Sequence, residues 1–188
     1  MEAFFVSTSL VAIAEMGDKT QLLALLLAAR YRQPVPIIIG ILLATLLNHG
    51  LAAVVGVWIT KQLSPETLRW GLAAAFAIMA LWVLVPDRMD DEPGTAPRRL
   101  GVFATTLLVF FLAEMGDKTQ IATLAMAVRY SDLVVVVVGS TLGMLLANVP
   151  VVLLGERVTA RIPAARIRLL AAVSFVVVGV LTLLTGSA

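Results

Sequence analysis

Two stretches of this chain read EMGDKTQ, at residues 15–21 and again at residues 114–120. Each holds two carboxylates, a lysine, a threonine and a glutamine, and each lies between long apolar runs. On a continuous helix, residues three and four apart share a face. Glu15 and Asp18 then point the same way with Lys19 beside them, and Glu114, Asp117 and Lys118 do likewise. Gly17 and Gly116 fall on another side and permit close approach or local unwinding. If the two copies meet, four carboxylates converge, with Thr20, Gln21, Thr119 and Gln120 as further oxygen donors or supporting partners. Hard, oxygen-rich sites of this kind suit Mg2+, Ca2+ and Mn2+. Four acids and two lysines leave a local charge of −2, which matches one divalent ion.

The placement of these groups adds to the argument. About eleven apolar residues precede the first copy and about eight follow it, and the second copy is framed in the same way. A charge at the centre of a bilayer costs roughly 2.5–3.5 kcal/mol, so six charges cost about 15–20 kcal/mol before pairing. Glu15–Lys19 and Glu114–Lys118 as helix-locking pairs would explain only part of that cost. Asp18 and Asp117 would be left without a role, and buried ion pairs are often no better than apolar packing.

Weaker signals lie elsewhere. Asn48, His49 and Asn148 fall inside apolar segments, where they extend the site, line its path, or serve equally well in hydrogen bonds between helices. Met16 and Met115 offer soft thioethers that would favour Mn2+ over Ca2+, although methionine is more often an adaptable packing residue.

The elements that must carry these residues follow from composition. The chain has 188 residues, 60% of them hydrophobic and 14% charged. Soluble domains hold about 45–50% apolar and about 25% charged residues, so a membrane protein is expected. The absence of cysteine excludes disulfides and thiolate metal sites, and a single histidine excludes a multi-histidine site within one chain. The net charge of +2 is small and the arginines cluster in loops, so no nucleic-acid face is expected. The opening MEAFF lacks a basic region, so a cleaved leader is not expected.

Six hydrophobic segments can be drawn, at 3–29, 35–59, 67–85, 100–128, 133–154 and 167–185. In lipid they read as helices, because a helix satisfies its own backbone polar groups. Pro34 and Pro36 open the second, Ser64-Pro65 caps the third, Pro86 closes it, and Pro163 precedes the sixth. Pro150 falls inside the fifth, where a kink is expected.

The halves align at a constant offset of 99, from Glu15 to Glu114, Gly40 to Gly139 and Gly56 to Gly155. Each repeat holds three segments, an odd number, so the second must enter the membrane from the opposite side. The expected fold is an all-α polytopic membrane protein of six transmembrane helices, arranged as two inverted three-helix repeats. Residues 1–86 form the first repeat, 87–99 an acidic cytoplasmic linker, and 100–188 the second repeat. Inverted repeats are typical of secondary transporters, with the site at the repeat interface.

The first, third and fifth loops carry nine arginines, and the second and fourth carry three basic residues, Lys61, Arg69 and Arg129. The basic side faces the cytoplasm, which puts both termini outside. The acids of the linker, Asp87, Asp90, Asp91 and Glu92, could concentrate or sense cations at the cytoplasmic mouth, but they match no EF-hand spacing and read more simply as a solvated connection. The arginines of the fifth loop read as headgroup anchors.

The doubled Glu-x-Gly-Asp-Lys-Thr sequence in six segments resembles the signature of the GDT cation transporter family, and the likeness covers essentially the whole chain. The resemblance implies transport of Mn2+ or Ca2+ in exchange for protons, with no enzymatic activity and no bound cofactor. It carries a cation-binding role onto Glu15, Asp18, Glu114 and Asp117. The short chain resembles the bacterial members, for which Mn2+ export across the inner membrane is expected. The partners implied are the metal ion and the lipid bilayer, with no obligatory protein partner.

Alternating access would then take the ion from the cytoplasm, strip its water on the carboxylates and release it outside. Protons would compete for the same oxygens, and Lys19 and Lys118 would hold the acids or act as substitute cations. Two rivals predict different outcomes. An intramembrane aspartyl protease would need two aspartates sharing a proton, but here a lysine follows each aspartate. A non-transporting assembly factor would show no metal flux.

Overall fold

The computed structural model describes residues 1–86, 101–155 and 164–185, and among these every regular element is a helix. In chain order they are α1 (Glu2–Glu15), α2 (Lys19–Tyr31), α3 (Pro34–Thr60), α4 (Pro65–Trp82), α5 (Val102–Glu114), α6 (Lys118–Tyr130), α7 (Leu133–Leu154) and α8 (Ala164–Thr185). The acidic linker and the fifth-loop residues Arg157 and Arg161 lie outside the described residues.

The second, third, fifth and sixth segments each become one helix, close to the bounds that hydropathy draws. The punctuation works as its chemistry suggests. The Ser64 hydroxyl accepts from the Thr67 amide at 3.3 Å, with Pro65 at the first helical position. Asp132 does the same for α7, accepting from the Val135 amide at 3.1 Å. Arg32 and Ser131, 99 positions apart, end α2 and α6 in the left-handed region, with φ of 53° and 52°.

The first and fourth segments depart from expectation, because neither is one continuous helix. Each breaks at its EMGD sequence, giving α1 and α2 in the first case and α5 and α6 in the second. The fragments α1 and α2, of 14 and 13 residues, are each about 20 Å long, short of the ~30 Å hydrocarbon core. Laid end to end, such a pair is long enough to cross it. By contrast α3, α7 and α8 are each long and apolar enough to cross a membrane alone.

The helices pack reciprocally. α1 lies mainly on α7 while α5 lies on α3; α2 contacts α7 while α6 contacts α3; α4 and α8 pack on each other. Small residues let these backbones approach. A methyl group added at Gly143 would lie 2.5 Å from the Thr8 carbonyl oxygen, and one added at Gly56 would lie 2.7 Å from that of Leu124. Where lipid replaces water, close packing of this kind, and not hydrophobic exclusion, holds helices together. At the α4–α8 contact, Phe76 and Phe175 stack with ring centroids 6.5 Å apart.

The surface has the opposite character to that of a soluble bundle. The exposed stripe of α3 runs Val35, Ile39, Leu43, Leu47, Leu51 and Trp58, whereas its buried face includes Thr45, Asn48 and His49. A face so apolar suits hydrocarbon, and the polar groups are kept for the interior.

Candidate metal centre

Each motif is shaped by its glycine. Glu15 is the last residue of α1, Met16 is extended, Gly17 takes φ +79°, and Asp18 stands at the N-cap of α2. The second copy repeats this, with Gly116 at φ +76° and Asp117 at the N-cap of α6. A residue with a Cβ is strained at such φ, so glycine sets where the chain can leave the helix. The unwinding alternative raised by the sequence is therefore realised, and the shared helical face for Glu15 and Asp18 is not. The glutamines secure the bend. Gln21 Oε1 accepts from the Gly17 amide at 2.9 Å, and Gln120 Oε1 from the Gly116 amide at 2.7 Å.

The two breaks meet in the interior. Carboxylate oxygens of Glu15, Glu114 and Asp117 all lie within 4.8 Å of one another, and all three residues are buried. Ligand oxygens on opposite sides of a cation at about 2.3–2.5 Å are at most about 5 Å apart, so this spacing fits one ion. One oxygen of each acid is held: Thr20 Oγ1 donates to Glu15 Oε2 at 2.7 Å, Thr119 Oγ1 to Glu114 Oε2 at 3.0 Å, and Lys19 Nζ lies 2.9 Å from Asp117 Oδ1. The other oxygens, Glu15 Oε1, Glu114 Oε1 and Asp117 Oδ2, are buried without a hydrogen-bond partner. Buried acceptors of this kind are costly unless something positive joins them.

Asp18 lies outside that trio. Its Oδ1 is 2.8 Å from Lys118 Nζ, and the reciprocal pair joins Lys19 Nζ to Asp117 Oδ1 at 2.9 Å. The local pairs Glu15–Lys19 and Glu114–Lys118, which an unbroken helix would allow, give way to pairs exchanged between the motifs. The break explains this, because it moves each lysine onto a new helix start and away from the glutamate before it.

The remaining candidates divide. Asn48 is fully buried, donating to the Phe111 carbonyl at 3.0 Å and accepting from Gln120 Nε2 at 3.3 Å. Asn148 donates within its own helix to the Met144 carbonyl at 3.1 Å. His49 is fully buried with neither ring nitrogen hydrogen-bonded. Met16 and Met115 are exposed, unlike the acids.

Two arginines depart from the loop roles given to them. Arg168 of α8 lines a pocket with Met16, Gly17, Val83, Asp18 and Lys118, next to the buried ion pair. Arg129 belongs to α6 and is buried, donating to Thr182 Oγ1 and to the Val178 carbonyl of α8. Neither was legible as an isolated arginine at a segment end. The acceptors that bury Arg129 belong to a helix some fifty residues later.

Comparison with known proteins agrees with the geometry. The chain matches the family of the divalent cation/proton antiporter GDT1 over residues 3–91 and 102–188. It is 50% identical over 183 residues to a protein of Vibrio cholerae named as a candidate manganese exporter, covering 97% of this chain and 90% of that one. It is 27% identical over 195 residues to a GDT1-like protein of Synechocystis, covering 93% of each. With GDT1-like protein 4 of Oryza sativa the identity is 28% over 167 residues, covering 76% of this chain and 59% of that one. No solved structure matches.

Proposed function

This chain belongs to the GDT1 family of divalent cation/proton antiporters, and from that premise we propose that it exports Mn2+ in exchange for protons. The observation that carries the proposal is the convergence of Glu15, Glu114 and Asp117, from two motifs, within 4.8 Å. Asp18 completes the set once Lys118 releases it. Three buried carboxylates this close do not coexist as bare anions, so metal, proton or lysine must supply positive charge. Metal and protons therefore exclude each other at the same oxygens. Arrival of Mn2+ displaces protons and frees the lysines; its departure lets protons or the ammonium groups take its place. Lower pH accordingly weakens Mn2+ binding.

The architecture for this exchange is six spans, α1–α2, α3 and α4 in residues 1–86 and α5–α6, α7 and α8 in residues 100–188, with 87–99 between them. The reciprocal packing of α1 on α7 and α5 on α3 supports a two-fold relation between the halves. With three spans each, the halves are inverted, and broken helices at their interface are where transporters place ion sites. The arginine bias of the remaining loop residues supports both termini lying outside the cytoplasm, and the bacterial relative supports an inner-membrane location. Each aspartate is engaged by a lysine of the other motif, unlike two aspartates sharing one proton, which favours the carrier reading over a protease.

The test is Mn2+ flux in proteoliposomes. Glu15→Gln and Asp117→Asn should each abolish it while the protein remains folded, and retained flux in both would overturn the carboxylate site. Ca2+ suits the same oxygens, so competition between the two metals in that assay reads the preference; the name of the Vibrio cholerae relative supports Mn2+.

A further inference from the structure

The two motifs are fastened differently, and the difference traces to one position. Asn48 lies in α3 opposite the second break. Its Nδ2 donates to the Phe111 carbonyl at 3.0 Å, three residues before α5 ends. That carbonyl is one of the last four of its helix, which lack an amide partner within the helix. The Oδ1 of the same side chain accepts from Gln120 Nε2 at 3.3 Å, just beyond the break. Gln120 in turn grips the Gly116 amide at 2.7 Å. A single amide therefore fastens both sides of the break to α3.

In the first motif only half of this fastening exists. Gln21 grips the Gly17 amide and donates to the Ala147 carbonyl of α7 at 3.0 Å. The residue 99 positions after Asn48 is Ala147 itself, which has no side-chain donor for the matching carbonyl of Ala12. α2 is tied to α7, but position 147 cannot tie the last turn of α1. Two independent observations run the same way. Asp117 belongs to the carboxylate trio and Asp18 does not. The far end of α6 is held to α8 through buried Arg129, whereas the equivalent Arg30 on α2 is exposed.

We propose that Asn48 is a positioning residue for ion binding: it fixes Glu114 and Asp117 as a rigid half-site, against which Glu15 and Asp18 form an adjustable half. The assignment rests on the carboxylate site proposed above. A fixed half sets how well the ion is recognised, and an adjustable half lets the site open and close without dismantling its ligands.

Hydrogen exchange on the purified full chain tests this without relying on transport. In the wild-type protein, residues 112–118 should exchange about tenfold more slowly than residues 13–19. Asn48→Ala should erase that difference. Equal exchange of the two segments in the wild type, or no acceleration at 112–118 in the variant, would overturn the proposal. If Asn48→Ala does not fold, Ala147→Asn supplies the missing amide to the first motif and should slow residues 13–19; unchanged exchange there overturns it equally.

In proteoliposomes, Asn48→Ala should raise KM for Mn2+ about tenfold with a much smaller fall in maximal rate, as expected when binding geometry is lost. A fall in rate at unchanged KM would mean a structural role alone and would also overturn the proposal. Absence of Mn2+ flux in the wild type would instead defeat the transport reading and leave the exchange comparison standing, so the two failures are distinguishable.

Discussion

Gly17 and Gly116 take φ of +79° and +76°, and the aspartates after them cap α2 and α6 with matching backbones. The glutamines fold back on the glycines in the same way, and the threonines hold the glutamates in the same way. The surroundings nevertheless differ. The side chains of Lys118 and Asp18 are 4% and 0% exposed, whereas those of Lys19 and Asp117 are 30% and 4% exposed. One exchanged ion pair is sealed and the other is partly open. Sequence identity within the heptads gives the two motifs the same backbone and the same internal hydrogen bonds. Divergence outside them, at Asn48 against Ala147 and Thr182 against Val83, makes the halves of the site unequal.

The lysines give the largest contrast. Lys118→Met leaves Asp18 in the interior without its ammonium partner, and loss of one member of a buried pair costs about 3–5 kcal/mol. Lys19→Met also leaves a buried aspartate behind, but the ammonium it removes is partly exposed, so a smaller cost of about 1–3 kcal/mol is expected. Thermal unfolding in detergent should separate the two variants clearly, and equal shifts would remove the inequality between the halves.

The aspartates come next. Asp117 lies in the carboxylate trio and Asp18 beside it, so Asp117→Asn should lower Mn2+ flux by about 100-fold or more and Asp18→Asn by about tenfold. Initial rates in proteoliposomes read the ratio. The arginines follow, with Arg129→Gln expected to cost about 1–3 kcal/mol through its lost bonds to α8 and Arg30→Gln less than about 0.5 kcal/mol. The smallest contrast falls on the glycines, where the halves should agree. Gly17→Ala and Gly116→Ala each force a Cβ into the left-handed region, at about 1–2 kcal/mol. A methyl group at Gly116 meets nothing within 4 Å, so the conformational cost is all that is read there.

The sequence made much of this legible. Proline and capping residues bracket α3 and α4, and hydropathy alone draws the bounds of α7. The doubled heptad points to its own acids, and Glu15, Glu114 and Asp117 do converge. The helix break was open in the sequence, because a glycine among apolar neighbours serves close approach and positive φ alike. What decides it is remote: Gln120 meets Asn48, and Gln21 meets the Ala147 carbonyl, across more than seventy residues. The exchanged ion pairs follow from the break and so were hidden with it. In the sequence Arg129 reads as a loop cation, because the Thr182 hydroxyl and Val178 carbonyl that accept from it lie on α8. For Asn48 a signal did exist, since the aligned position in the other half is alanine.

The central claim is that two motifs make one site. Equilibrium binding of Mn2+ to the purified protein, counted per chain, tests it directly. The account predicts one ion per chain in the wild type, and loss of that ion on either Glu15→Gln or Glu114→Gln alone. Two ions per chain, with each substitution removing only one of them, would contradict it.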